Sequence, residues 1–410
     1  MKILNFGSCN IDYVYSLDHI VKKGETEATE GLSVFPGGKG LNQSIAAAKA
    51  GCDVYHAGCV GEDGEMLLEV LSQSKVDISN IKRTDGKNGH AIIQVSKNGE
   101  NSIFLYPGSN EKISETLVDE VLAKFESGDI ILLQNEINLL DYIVESAYKK
   151  GMTIILNPSP CSGQVLEIDL DKISYLILNE VEATTITGEA SPESAISVFL
   201  KKYPKLHVVL TLGEKGSIYF FGNEAVRQSS YDVVAVDTTA AGDTFTGYFI
   251  SGLVRGISVK ETMREASCAA AISVSRNGAA PSIPMLSEVL GYIKHMNEKK
   301  DGADQKALLS QIEKYINERI DTATVSDLAE FLNYSSVYMG TLVKKLTGKS
   351  FHELLKEKRL SRAAALLAEG DLPVGDVIRL VGYRNENFFR KMFIEKYGVT
   401  PLRYRKKLRG

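Results

Sequence analysis

The sequence predicts an α/β domain with a mostly parallel sheet and helices on both faces, followed by an all-α domain. Three observations carry this. Short apolar, β-branched runs alternate with helix-like segments over residues 1–293. Several of those runs are apolar throughout, as strands are when helices cover both faces of a sheet. From residue 307 to 409 no strand pattern occurs and only helical periodicity remains.

In chain order, ILNFGS, AIIQVS, DIILLQ, TIILNP, YLILN and HVVLTLG read as strands. SIAAAKAG, EMLLEVLSQ, LLDYIVESAYKKG and TFTGYFISGLVRG read as helices. Residues 294–306, KHMNEKKDGADQK, are polar and charged and contain a glycine, which reads as a linker or a fraying helix end running into one. The expected domains are therefore 1–293 and 307–410. In the second, residues 325–348 read helix, turn, helix. Val325, Leu328, Ala329 and Leu332 form one apolar face, and Val337, Leu342, Val343 and Leu346 another. Ser335 and Ser336 suit a helix start. A long helix follows, SFHELLKEKRLSRAAALLAEG, and then the plan repeats, with Gly382 at the turn.

The chain has 410 residues, 44% hydrophobic and 24% charged, enough for two or three globular domains. No run of about 18 apolar residues is present, and the start MKILNFGSCNIDYVY lacks the apolar stretch of a secretory signal. A cytoplasmic protein without membrane association is expected. The five cysteines are scattered and no CxxC pair occurs, so reduced thiols are expected rather than zinc or disulfides. The net charge of −5 hides an asymmetry. Residues 307–410 carry 19 Lys and Arg against 12 Asp and Glu, net +7, and the rest carry 28 against 40, net −12. A basic C-terminal region on an acidic body points to a polyanion partner for that region alone, or to a solvated basic face.

Three motifs carry chemistry. Pro36-Gly37-Gly38-Lys39-Gly40-Leu41-Asn42 precedes a helix, so backbone N–H groups can approach a ligand closely. It lacks Walker A spacing, and alone it could be a turn before a helix. In Asp237-Thr238-Thr239-Ala240-Ala241-Gly242-Asp243-Thr244-Phe245, small residues open a helix whose start can hold anionic phosphate oxygens. A carboxylate at Asp243 could take a hydroxyl proton there, or simply cap the helix. Asn179-Glu180-Val181-Glu182 follows an apolar strand, where open α/β sheets bind ligands. It also reads as a helix cap with an acidic first turn.

Together these segments resemble the ribokinase (PfkB) family of carbohydrate kinases over about residues 1–293. GSCNID, GGKGLNQS, LQNE, LNPSP, NEVEA, TLGEKG, DTTAAGDTF and RNGAAPSIP occur in the family's order. The resemblance implies an ATP-dependent kinase acting on a small-molecule sugar, most simply ribose, with Asp243 as general base. It implies sugar contacts from Asn10, Ile11, Asp12, Gly38, Lys39, Gly40, Leu41, Asn42 and Glu136. It implies nucleotide contacts from Asn179, Thr211, Leu212, Gly213, Glu214, Lys215, Gly216, Gly242 and Ser267, and an anion hole at Ala240, Ala241 and Gly242. Glu182 would serve Mg2+ through water. Asp237, Thr239, Ser273, Arg276, Gly278 and Ser282 match the family's K+ site, largely through backbone oxygens. A β lid near Asp12–Ser16 and GHAIIQVSKNGENSIFLYPGSN, and a homodimer, are further implications.

Either helix–turn–helix unit alone could be part of a plain bundle. Gly382-Tyr383-x-Asn385-x-x-Phe388-Phe389-x-Lys391-x-Phe393, then Gly398-Val399-Thr400-Pro401 and Tyr404-Arg405, resembles the AraC/XylS-type DNA-binding domain over roughly 307–409. The resemblance implies double-stranded DNA as partner and transcription regulation as role. Recognition helices would run at about Ser335–Leu346 and Asn385–Lys396 in successive major-groove segments. Ser336, Tyr338, Met339, Arg384, Asn385, Asn387 and Arg390 are the implied contacts, and the phenylalanines are expected in the core. A sugar-sensing transcription factor whose kinase fold acts as the sensor is the alternative, as is a kinase for another sugar or a nucleoside.

Overall fold

The computed structural model describes residues 1–298 and 302–409. Two compact units are present, Met1–Val289 and Leu290–Gly410. Residues 294–298 and 302–306 of the expected linker belong to the helices Leu286–Glu298 and Gly302–Glu318. Residues 299–301 lie outside the described residues.

The first unit is built on a sheet that, among the described residues, has nine strands. Its spatial order is Glu224–Gln228, Ser217–Phe221, His207–Thr211, Tyr175–Asn179, Thr153–Asn157, Ile130–Gln134, Ile3–Phe6, Val54–Val60 and Asp77–Arg83. Neighbours pair in parallel except at the first two junctions, which are antiparallel. The central strand Ile130–Gln134 is buried along its whole length, which explains its unbroken apolar run. All six expected strands are found; the two at the antiparallel edge and those at Val54 and Asp77 went unread.

Strand Ile3–Phe6 pairs with Val54–Val60 on one side and Ile130–Gln134 on the other. The chain thus leaves the first strand in one direction and later returns to its other flank. A crevice opens at the carboxyl ends of strands where such a reversal occurs. The residues just beyond these two strand ends, Gly7, Ser8 and Asn135, Glu136, are therefore placed to meet a ligand.

A second sheet, of four strands among the described residues in the order Gly31–Gly37, Asn10–Leu17, Gly89–Ser96, Asn101–Tyr106, contains both expected lid segments. The strand Gly31–Gly37 was missed because it ends in Pro36 and Gly37 with Gly38 following, which read as a turn. Its pairing with Asn10–Leu17 sets Gly37 opposite Asn10 and Phe35 opposite Asp12.

Helix Lys39–Lys49 begins at Gly38, whose φ of 94° favours glycine, and is buried from Gly40 to Ala47. It crosses helix Ala241–Val254 closely: a Cβ on Gly247 would lie 2.4 Å from the Ala46 Cβ. That approach brings two sequence-distant helix starts within hydrogen-bonding reach.

In the second unit, the pairs Val325–Phe331 with Ser336–Thr347 and Val374–Leu380 with Glu386–Tyr397 flank the long helix Phe351–Glu369. One apolar core gathers Ile312, Leu328, Met339, Val343 and Phe351, and a second gathers Leu360, Leu367, Ile378, Phe389 and Phe393. The two helix pairs repeat their end chemistry. Ser335 and Asn385 cap the second helix of each pair, and Gly348 and Gly398 end it in the left-handed region.

Candidate active site and nucleic-acid interface

Asp243 lies in the first turn of helix Ala241–Val254 and is buried. Its carboxylate does not cap the helix. Oδ2 accepts from Asn42 Nδ2 at 3.1 Å and Oδ1 from Gln43 Nε2 at 2.9 Å. Both donors come from helix Lys39–Lys49, so the glycine-rich motif and the acidic motif form one site. Ala240, just before the helix, holds a left-handed φ of 59°. A non-glycine residue there stores on the order of 1 kcal/mol of strain, which tertiary contacts must offset.

Of the expected anion hole, Ala241 donates its N–H to the Thr238 carbonyl at 3.3 Å. Gly242 is the member that lines a cavity of about 70 Å³ with Asp243, Lys39, Asn157, Asn179, Glu182, Thr211 and Thr246. Asn179 and Glu182 make a reciprocal capping box: Asn179 Oδ1 accepts from Glu182 N at 2.9 Å, and Glu182 Oε2 accepts from Asn179 N at 3.0 Å. The cap reading is therefore realised, and both residues also line the cavity. Thr211 ends its strand, and the turn through Leu212, Gly213, Glu214, Lys215 and Gly216 is closed by Leu212 N–H to Gly216 O at 2.8 Å. Lys215 pairs with Glu180 at 3.8 Å. Gly216, with φ 95°, has no room for a side chain, since its Cβ would lie 2.0 Å from Gln228 O. Ser267 is buried under this turn, its hydroxyl 3.3 Å from that of Ser217.

Beyond Lys39, Glu136 accepts from Ser8 Oγ at 2.5 Å and from the Lys39 N–H at 3.0 Å. Asn10 accepts from Asn110 Nδ2 at 2.7 Å. Asn10, Asn110 and Glu136 line a cavity of about 270 Å³ with Leu105, Tyr106 and Ile137. Ile11 and Leu41 are buried, so their side chains belong to the core. Gly40 passes tightly over the first strand's end, where a Cβ would lie 2.3 Å from Ser8 N.

The carboxylates of this site shape one another. Burial, then the charges of Glu136 and Asp243, push the Asp12 carboxyl up to about 7. Burial also raises Glu136. Burial disfavours the Lys39 ammonium, but Asp243, Glu136 and Glu182 outweigh it and hold that cation charged.

At the expected K+ site the segments around Asp237 and 273–282 do meet. Asp237 accepts from Thr239 N–H and Gly278 N–H, each at 2.9 Å. The hydroxyls of Ser273 and Ser282 bond each other at 2.7 Å, and Arg276 pairs with Glu288 and reaches Ser282 O at 3.4 Å. These side chains are occupied, so a cation here would rely on backbone carbonyls.

Residues 1–286 match the profile of the pfkB family carbohydrate kinases. The chain belongs to that family. Its first domain is 37% identical over 300 residues to the ribokinase of Haemophilus influenzae, covering 70% of this chain and 97% of the relative. A ribokinase structure from Thermotoga maritima superposes with a TM-score of 0.65 at 36% identity, covering 72% of this chain and 99% of the other. The Arabidopsis thaliana ribokinase solved with ribose and ATP superposes with a TM-score of 0.63 at 30% identity, covering 71% of this chain and 97% of the other. The expected enzyme class, carbohydrate kinase, is thus met, and so is the ribokinase-like fold. Residues 328–407 match a helix-turn-helix domain, in line with the AraC-type resemblance.

In this pfkB-family chain the helical unit requires two corrections. Tyr338 and Met339 are buried in the first apolar core, so their side chains are taken up by packing rather than DNA. Conversely, Phe389 and Phe393 are buried but Phe388 is 56% exposed on the helix Glu386–Tyr397. Asn385 spends its side-chain oxygen capping that helix through Phe388 N–H at 3.0 Å. Ser336, Arg384, Asn387 and Arg390 are exposed, Arg390 in a solvent-facing pair with Glu386 at 3.2 Å. Lys344, Lys345 and Lys391, exposed on the same helices, were not read as candidate contacts. Their signal was a basic residue on the face opposite the apolar stripe. In the kinase site the missed residues are Gln43, Gln134, Asn5, Asn157 and Ser8. No helix among the described residues is long and apolar enough to cross a membrane.

Proposed function

We propose that this chain transfers the ATP γ-phosphoryl group to ribose, at the 5-hydroxyl, and binds promoter DNA through its C-terminal unit. The observation that carries the kinase half is the position of Asp243. It is held by Asn42 and Gln43 and lines the Asn179–Glu182–Gly242 cavity with Lys39, whose backbone N–H reaches Glu136 in the wall of the Asn10 cavity. Asp243 takes the hydroxyl proton as the oxygen attacks phosphorus. Backbone N–H groups at the helix start and the Lys39 ammonium stabilise charge on the transferring group. Asp12, Asn10 and Glu136 orient the sugar, and the four-stranded lid limits water, the competing acceptor.

Glu182 is buried with one oxygen on the Asn179 N–H, and it lines the phosphate-side cavity, which suits a hydrated Mg2+. Such an ion would offset phosphate charge. A K+ held by carbonyls near Asp237 would steady the loop before Ala240. The exposed apolar residues Leu32, Val34, Ile103 and Phe104 of the lid support pairing of two copies. The basic helical unit supports a cytoplasmic DNA-binding role.

The test is a coupled assay with ATP, Mg2+, K+ and ribose. Equal rates for wild type and Asp243→Asn would sink the assignment. Because both domains sit on one chain, gel shifts with and without ribose, ATP and ribose 5-phosphate separate a coupled sensor from two independent activities.

A further inference from the structure

Gln43 lies at the centre of a buried chain of side-chain amides. Asn5, Gln43, Ser44 and Gln134 each have zero exposure. The Gln43 amide nitrogen has two hydrogens, and both are committed: one to Asp243 Oδ1 at 2.9 Å, the other to Asn157 Oδ1 at 2.9 Å. Its carbonyl accepts from Gln134 Nε2 at 2.7 Å, and Gln134 also donates to Asn5 Oδ1 at 3.1 Å. Asn5 Nδ2 then donates to Gly40 O at 2.7 Å and Ser44 Oγ at 2.8 Å.

Backbone carbonyls remove the usual freedom of an amide to flip. Asn157 Nδ2 donates to Ile177 O at 2.9 Å, so its oxygen must face Gln43. Asn5 is held the same way by Gly40 O. With both neighbours oriented, Gln43 can only turn its N–H groups toward Asp243. A flipped amide would set oxygen against oxygen at both Asp243 and Asn157.

We propose that Gln43 is a positioning residue for phosphoryl transfer. It locks the plane of the Asp243 carboxylate, while Gln134 and Asn5 tie that lock to the Gly40 turn. This rests on Asp243 being the base.

The test uses the full chain in the coupled assay, with Q43M, Q43E, D243N and the pair Q43M/D243N. Q43M should lower kcat about 10- to 100-fold with the KM for ATP unchanged. It should move the acid limb of the kcat profile to higher pH, because a carboxylate that loses an N–H donor holds its proton more tightly. Q43E keeps the shape and sets a second carboxyl beside Asp243, so its limb should move further. In the pair, Q43M should add nothing to the loss already caused by D243N. An unmoved acid limb in both Gln43 variants overturns the proposal, as does an equal factor lost on the wild-type and D243N backgrounds. If D243N instead matches wild type, the base assignment fails and not the positioning argument alone.

Discussion

Asp243 and Asn387 both occupy the first turn of a helix, and their surroundings differ in kind. Asp243 is buried, and both its oxygens are held by side chains about 200 residues away in sequence. Asn387 is exposed, and the helix beneath it rests on Phe389 and Phe393. The kinase unit keeps its polar chemistry inside, where low dielectric strengthens each hydrogen bond and makes every unpaired group costly. The helical unit keeps a dry apolar core and turns its polar groups outward, where a polyanion could replace water. Substitutions in the first unit should therefore act on rate, and those in the second should divide cleanly between stability and DNA affinity.

The largest effect expected is at Asp243. D243N should lower kcat by about 10²- to 10⁴-fold, read in the coupled assay, and leave DNA affinity in gel shifts unchanged. A change in DNA affinity would break the separation between the two units. Next comes the phenylalanine pair. Phe389→Ala should cost about 3–5 kcal/mol of unfolding free energy by denaturant titration, and Phe388→Ala less than about 0.5 kcal/mol. Similar costs for both would contradict the outward placement of Phe388.

A smaller contrast separates two asparagines. Asn387→Ala should weaken specific DNA binding by about 1–3 kcal/mol in a salt-controlled titration without altering stability. Asn385→Ala should cost about 1 kcal/mol of stability through the lost cap. The last contrast is one of pH and concerns Asp12. Its carboxyl is held up to about 7 by burial and by Glu136 and Asp243, so the folded chain binds that proton more tightly than the unfolded chain does. Stability from this group is full below the ordinary carboxylate range and is lost as pH rises through about 7. The Tm of D12N should therefore gain on wild type between about pH 5 and about pH 8. A gap that stays constant with pH would remove Asp12 from the coupled carboxylates.

The motifs legible in sequence were those whose chemistry is local. Gly38 and Gly216 are required by backbone conformation, and Asn179 with Glu182 by a cap four residues long. Gln43, Gln134 and Asn5 were not legible, because an amide shows no role until its partners are known, and Gln134 and Asn5 are 129 residues apart. Tyr338 and Met339 were misread for a related reason. Helical spacing alone does not say which face of a short helix is covered when the covering helix lies elsewhere in the chain.

Sequence by itself determined the α/β class, the helical C-terminal region and the family of each, since periodicity and motif order are properties of neighbouring residues. Only the tertiary structure decided that Asp243 is a buried acceptor of two amides rather than a helix cap. It alone decided, too, that Phe388 faces outward while Tyr338 faces in. Burial and hydrogen bonding are set by segments that meet in space, and the close crossing at Gly247 and Ala46 is what brings the decisive ones together.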